Sequence, residues 1–163
     1  MKQKQILISL LAIVIYSCGG GFSKGVKKDL STGLSTSYNG FAVDEVYLTV
    51  DENKLSNNKV ALGKVVNIIA NGVDYYQVKD GKVFPGCSIL LTDTAGKEIL
   101  NLPDAFADMK EGFESKKAGM LNATLNTGSP MAVGQTYHLK TRFYDKLKKE
   151  SEIISEVDLV MTE

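Results

Sequence analysis

The side chains with the clearest chemical potential in this chain of 163 residues are two cysteines, Cys18 and Cys87, and a single histidine, His138. A cysteine becomes a nucleophile when a neighbouring base or positive charge lowers the pKa of its thiol. Cys87 lies in an apolar run over 86–91, which is typical of a buried thiol. His138 alternates with apolar residues and is expected to face water. Nothing in the sequence brings these two side chains together, so we predict no catalytic activity.

Acidic residues near predicted turns form a second group with possible chemistry. Calcium binds six to eight oxygen ligands, and loops at one end of a β-sandwich can supply them. No Asp-x-Asp-x-Asp spacing occurs, however, and aspartate is also favoured in turns for backbone reasons. Asp93 is the first ligand that we would consider, but the sequence predicts neither a metal site nor a cofactor. The acids concerned are Asp80, Asp93, Asp104, Asp108 and Asp145.

Tyr75, Tyr76 and Phe84 form the one aromatic cluster of the sequence, which contains no tryptophan. Aromatic rings can stack on sugars, so this cluster is a candidate contact for a glycan. The alternative is that the rings pack as cross-strand pairs in a hairpin. The turn Asp80-Gly81 favours such a hairpin between 74–78 and 82–84.

The segment 102–119 is the longest stretch of the sequence that lacks the pattern of a strand. Pro103 suits the start of a helical turn, and long irregular connections are often functional. Its large apolar residues are Phe106, Met109 and Phe113. They are candidates for contact with a protein partner, and the alternative is that they cap one end of the core.

The first eighteen residues carry a basic start at Lys2 and Lys4 and an apolar run over Ile6–Tyr16. A run of about eleven residues suits the core of a signal peptide and is too short for a membrane-spanning helix. The four residues Ile15–Cys18 resemble the lipobox of bacterial lipoproteins. The resemblance implies that residues 1–17 are a signal peptide and that Cys18 carries lipid, with more than one acyl chain for stable anchoring.

The residue after the lipobox is Gly19, not the aspartate that retains such proteins at the inner membrane. The resemblance therefore implies an outer-membrane lipoprotein that faces the periplasm, with the cell surface as the alternative. Residues 18–37 are rich in Gly, Ser, Thr and Lys, which predicts a lipidated, flexible tether. The folded domain is then expected over 38–163.

Short segments with a period of two predict an all-β domain of about seven to nine strands with no long helix. A single antiparallel β-sandwich fits this pattern, and a small β-barrel is the alternative. The clearest segment is Gln135–Asp145, with Tyr137 and Phe143 on its inner face. The other main strands are predicted at Val43–Val50, Lys64–Ala70, Cys87–Thr92, Lys97–Leu100, Gly119–Asn126 and Ile153–Met161.

The stretch Gly134–Leu139, followed by Asp145, resembles the penultimate strand of immunoglobulin-like bacterial modules. The resemblance implies that the last three strands take the E-F-G positions of that fold. It also implies that Tyr137 ties a corner by a hydrogen bond between its hydroxyl and nearby backbone.

Lys+Arg and Asp+Glu balance at 19 each, so the chain lacks the basic excess of a nucleic-acid-binding protein. We therefore expect a non-enzymatic lipoprotein of the cell envelope that acts as an interaction or assembly module. It would contact the membrane through its lipid anchor and a protein partner through its domain. The alternative is an accessory lipoprotein that binds a glycan or calcium.

Overall fold

The structure is a computed structural model that describes residues 23–163. The predicted signal peptide and Cys18 lie outside the described residues. Thirteen strands occur in the described part of the chain. They are β1 (Lys24–Lys28), β2 (Ser35–Asn39), β3 (Glu45–Val50), β4 (Asn53–Lys54), β5 (Lys59–Ala61), β6 (Val65–Asn71), β7 (Lys82–Val83), β8 (Pro85–Asp93), β9 (Glu98–Leu102), β10 (Phe113–Glu114), β11 (Met120–Asn126), β12 (Thr136–Asp145) and β13 (Glu152–Thr162).

The strands form two open sheets and a short ribbon. The large sheet has the order β1-β2-β13-β12-β8-β9, and β5 pairs in parallel with β13. The small sheet has the order β11-β6-β3-β4, and β10 pairs with β7. Because neither sheet closes on itself, the domain is a β-sandwich and not the small barrel considered as the alternative.

The strand order confirms the immunoglobulin-like arrangement. In that fold, strands A, B and E share one sheet and C, F and G share the other. The small sheet supplies β3, β6 and β11 in the A-B-E order, and the large sheet supplies β8, β12 and β13 in the C-F-G order. No strand of residues 23–163 takes the D position beside β11. The chain between β9 and β11 instead pairs β10 with β7.

The core lies between the two sheets and follows from strict alternation along their strands. In β12, Tyr137, Leu139, Thr141 and Phe143 are buried and the residues between them are partly exposed. The inner faces of β6 and β11 oppose them with Ile68 and Leu121. The hydroxyl of Tyr137 accepts a hydrogen bond of 3.0 Å from the N–H of Ala132. This contact confirms the predicted tyrosine corner.

The prediction of a flexible tether through residue 37 is wrong for residues 24–37. These residues include β1 and most of β2, and β2 pairs with β13 in the large sheet. Leu34 is buried, and the hydroxyls of Thr36 and Ser155 lie 2.9 Å apart in the interior. A Ser/Thr-rich segment therefore joins the sheet because its hydroxyls find partners there, and the domain includes at least β1 onward.

One local prediction also needs correction. Residues 74–78 do not form a strand: an isolated bridge links Lys79 to Lys82, and β7 pairs with β10. Tyr75 has a positive φ of 71°, which interrupts extended backbone. The turn expected after Pro103 forms without extending into a helix: the N–H of Ala107 donates to the carbonyl of Asp104 at 3.3 Å, and the N–H of Met109 donates to the carbonyl of Phe106 at 3.1 Å. A 3-10 helix occurs later, at Ser115–Lys117. Within residues 23–163, no helix has the length and apolar character that crossing a membrane requires.

Candidate functional site

An apolar groove lies where the connection between β9 and β11 packs beside the first half of β11. Its cavity volume is about 210 Å³. The three predicted contact residues Phe106, Met109 and Phe113 all line it. The remaining lining residues are Lys117, Ala118, Met120, Leu121 and Asn122. The structure therefore brings together the apolar residues of segment 102–119 in one concave surface.

The first part of this connection is fixed to the large sheet by Asp104. Its Oδ1 atom accepts hydrogen bonds from the N–H groups of Phe106 (2.9 Å) and Cys87 (3.2 Å). The N–H of Ala105 donates to the carbonyl of Cys87 at 2.6 Å. These contacts place Phe106 over the core, where its ring centroid lies 6.3 Å from that of Phe143. Phe106 thus forms the rigid floor of the apolar groove.

The second part of the connection is held by β7, by Val73 and by Tyr76. Phe113 lies in β10, opposite Val83. The hydroxyl of Tyr76 donates to the carbonyl of Ala118 at 2.9 Å, and the N–H of Val73 donates to the carbonyl of Gly119 at 3.0 Å. The groove is therefore built on backbone that is anchored at both ends.

Two methionines give the groove an exposed apolar rim. Met109 is 42 % exposed and Met120 is 57 % exposed. Methionine is flexible and polarisable, which suits contact surfaces that adapt to a partner. Met120 lies on the exposed face of β11, opposite the buried Leu121, Ala123 and Leu125. Its part in the groove was missed, although a large apolar residue on the outer face of a strand was the available signal.

The lining of the groove offers little to a catalyst or a small ligand. Lys117 is its one titratable side chain, and Nζ of Lys117 lies 3.3 Å from Oε2 of Glu114. No acid–base pair faces the cavity. Its volume is also below the roughly 300–1,000 Å³ of sites that enclose drug-sized ligands. The groove has room for one large side chain of a partner.

The aromatic residues considered as a sugar platform have separate roles. The Tyr76 ring packs edge-on against Phe41, with centroids 4.8 Å apart. Burial, together with the carboxylates of Asp145 and Asp74, raises the pKa of the Tyr76 hydroxyl. Phe84 lies against Gly112, where a Cβ would approach the ring to 2.8 Å. Tyr75 is half-exposed. Tyr76 and Phe84 therefore make packing contacts within the domain.

Asp93 shapes a turn of its own. Its Oδ1 atom accepts hydrogen bonds of 2.9 Å from the N–H groups of Ala95 and Lys97, which hold the turn between β8 and β9. Among residues 23–163, no group of three or more His, Cys, Asp or Glu side chains is placed to hold a metal ion.

Cys87 and His138 lie in different environments. Cys87 is fully buried, and burial raises the pKa of its thiol to about 12, with a further contribution from Asp104. His138 faces outward on β12, where its Nδ1 atom lies 2.8 Å from Oδ1 of Asp158. The thiol is a neutral core group at physiological pH, since thiolate formation needs a lowered pKa.

Comparisons with known proteins give information on the fold. No family model matches the chain, and no curated protein matches it. Among solved structures, the crystal structure of the C-terminal domain of wzt is similar, with a TM-score of 0.52 and 9% sequence identity. The match covers 88% of this chain and 80% of that chain. It agrees with the β-sandwich described above.

Proposed function

We propose that this protein is a non-enzymatic lipoprotein of the bacterial cell envelope, anchored by lipid on Cys18, and that its domain acts as an interaction or assembly module. The observation that carries the proposal is the apolar groove. Its exposed rim of Met109 and Met120 surrounds a cavity that suits a side chain of another protein. Exposed apolar surface of this kind is typical of protein–protein contact sites.

The position of β1 supports an anchor close to the membrane. Five residues lie between Cys18 and the start of β1 at Lys24, and the six Cα–Cα steps that join these two residues span about 20 Å when fully extended. Lys27 and Lys28 follow in the same strand. If Cys18 carries lipid, these lysines come near the headgroup region, where cationic side chains are attracted to anionic lipids.

The anchor is tested by changing Cys18→Ala in the full-length chain and following processing and membrane association. We expect the variant to remain unprocessed or to leave the membrane fraction, because stable anchoring needs lipid chains on this residue. Unchanged processing together with unchanged membrane association would contradict a lipid anchor at Cys18.

The interaction role is tested separately, with a photo-crosslinking amino acid placed at Met109 in intact cells. The matched control carries the same amino acid at Val133, which is similarly exposed but lies beyond the opposite end of β11. We expect a discrete protein adduct from position 109 and none of the same mass from position 133. Identical adduct patterns at both positions, or none at either, would count against the groove as a contact site.

A further inference from the structure

The outer edge of β11 is the least protected sheet edge in the described residues. Proteins usually protect edge strands by making them short, charged or bulged. The edge strand β1 carries three lysines in five residues, and β4 has two residues. The edge strand β9 is short and pairs with β8 across an irregular register at Leu91/Thr92. By contrast, β11 has seven residues, with the sequence MLNATLN, and contains no charge and no proline.

The alternation of hydrogen-bonded pairs along β11 shows which backbone groups point outward at its free edge. The N–H of Thr127 donates to the carbonyl of Lys64 at 3.0 Å, so these residues form a hydrogen-bonded pair at the end of the β11–β6 ladder. Bonded and non-bonded pairs alternate in antiparallel sheets. Leu121, Ala123 and Leu125 therefore bond to β6, and the N–H and C=O groups of Asn122 and Thr124 point away from the sheet. Neither residue makes a backbone bond on that side within residues 23–163.

The exposed edge and the apolar groove are continuous. Met120, Leu121 and Asn122 line the groove and also form the first half of β11. A strand added to this edge would pass directly over the cavity, and alternate side chains of that strand would point toward the same face. One large apolar side chain at the right position would then enter between Phe106 and Met109.

We propose that a protein partner adds an extended, uncharged segment to the outer edge of β11 and places one large apolar side chain in the apolar groove. This inference rests on the proposed function and specifies its contact. Backbone hydrogen bonds to Asn122 and Thr124 would supply affinity, and the groove would supply selectivity, as in other strand-addition complexes. Charged residues are disfavoured in the segment because β11 presents only Met, Asn and Thr on its exposed face.

The side chains of β11 argue against a second copy of this chain as the occupant. Antiparallel registers centred on Asn122, Ala123 or Thr124 pair the outward residues with each other, and they place Thr124, Asn126 or Gly128 of the copy beside Met120. These residues are polar or small. They would leave the apolar groove unfilled, whereas a separate segment is free to carry the apolar residue that fits.

The probe for the experiment is a synthetic fluorescent peptide of the same length as β11, in which Thr and Val alternate and Phe replaces one Val. A series of such peptides moves Phe along the sequence, and an N-methylated analogue removes the alternate N–H donors. Binding is measured by fluorescence polarisation against the folded domain. We expect one Phe position to bind best, with a loss of about tenfold when Phe is replaced by Thr, since about 1.4 kcal/mol of apolar burial corresponds to tenfold in Kd.

The matched protein variants are Thr124→Pro and Thr124→Val. Proline removes the outward N–H and leaves the ladder to β6 intact, which is why proline is tolerated on edge strands. Valine retains the N–H. We expect Thr124→Pro and the N-methylated peptide each to weaken binding at least about tenfold, and Thr124→Val to bind like the unchanged protein. Should Thr124→Pro fail to fold in a thermal melt, the N-methylated peptide tests the same backbone hydrogen bonds from the side of the ligand.

Three results would overturn the inference. Equal binding of the methylated and unmethylated peptides would show that no strand is added, even if crosslinks from Met109 persist and the proposed interaction role stands. A dimer in sedimentation experiments that Thr124→Pro abolishes would identify a second copy as the occupant. Absence of binding by every peptide of the series to a monomeric domain would exclude an uncharged strand as the ligand.

Discussion

Asp104 and Lys146 form an ion pair in which Lys146 Nζ lies 2.8 Å from Asp104 Oδ2, and both side chains are about three-quarters buried. The same ammonium group donates to the carbonyl of Phe106 at 2.9 Å. Lys146 follows β12, and Asp104 opens the connection that leads to β10. The pair therefore joins two parts of the chain that are remote in sequence, and it holds Phe106 in the floor of the apolar groove.

Replacing Asp104→Asn should lower the free energy of unfolding by about 1–2 kcal/mol near neutral pH. The variant loses a partly buried, charge-assisted contact and leaves the ammonium of Lys146 without its carboxylate. In the native chain, burial raises the pKa of Asp104. The hydrogen bonds from Lys146 and from the N–H groups of Cys87 and Phe106 outweigh it and lower this pKa overall.

The lowered pKa of Asp104 determines the direction in which folding stability changes with pH. A carboxyl group with a lowered pKa in the folded state adds stability above its unfolded pKa, near the ordinary aspartate value of 3.8, and this contribution is lost as the pH falls through the folded pKa. Asp29 behaves alike, because hydrogen bonds from Ser31 and Thr32 lower its pKa to about 2. Urea unfolding at several pH values should show declining stability below about pH 4. A pH profile as steep in Asp104→Asn as in the unchanged protein would contradict this assignment.

Two neighbouring residues of β11 offer a matched test of which face of this strand packs against the core. Leu121 is 5 % exposed and packs in the core, whereas Met120 is 57 % exposed. Leu121→Ala should cost about 2–5 kcal/mol of stability, because it removes buried methyl groups and leaves a cavity. Met120→Ala should change stability by no more than about 0.5 kcal/mol. Equal losses for the two variants in chemical unfolding would show that the register of β11 is wrong.

The buried hydroxyl of Thr141 is the basis for predicting a substitution that stabilises the protein. Thr141 is 1 % exposed, and its Oγ1 atom has no hydrogen-bond partner among the described residues. Valine has nearly the same shape and does not require a partner for a polar atom. Thr141→Val should therefore raise the free energy of unfolding by about 1 kcal/mol. Thr36→Val is the control, since Thr36 pairs with Ser155 and its replacement should destabilise. A loss of stability in Thr141→Val would mean that the hydroxyl is satisfied.

The sequence was sufficient to predict the strands whose inner and outer residues differ in polarity. Alternation along β11, β12 and β13 is a local property, and the apolar residues that it places on one face of each strand point toward the core. Alternation does not identify β1 and β2, because their residues are mostly polar. β2 is held by partners more than a hundred residues away in β13, such as Ser155 for Thr36, and β1 pairs with β2.

The candidate site could be predicted only in part, for a similar reason. Phe106, Met109 and Phe113 stand out as large apolar residues in an irregular segment. Asp104 and Lys146 do not stand out, because a charged residue near a turn is common and its partner is fixed by the path of the chain. The residues 74–78 were assigned to a hairpin because Asp80-Gly81 favours one. The turn at Lys79–Lys82 forms, but β7 finds its partner in β10.

The location of β13 inside the large sheet affects the order in which the domain can be made. Residues 152–162 pair with β12 on one side and with β2 and then β5 on the other. The strand that joins the two halves of the sheet is therefore the last of the described strands to be synthesised. Until it emerges, β2 and β5 lack their pairing with β13, so the large sheet remains incomplete on a growing chain. Folding dominated by such distant pairings is slow, on the order of milliseconds to seconds. The large sheet thus stays incomplete for as long as its final strand is withheld.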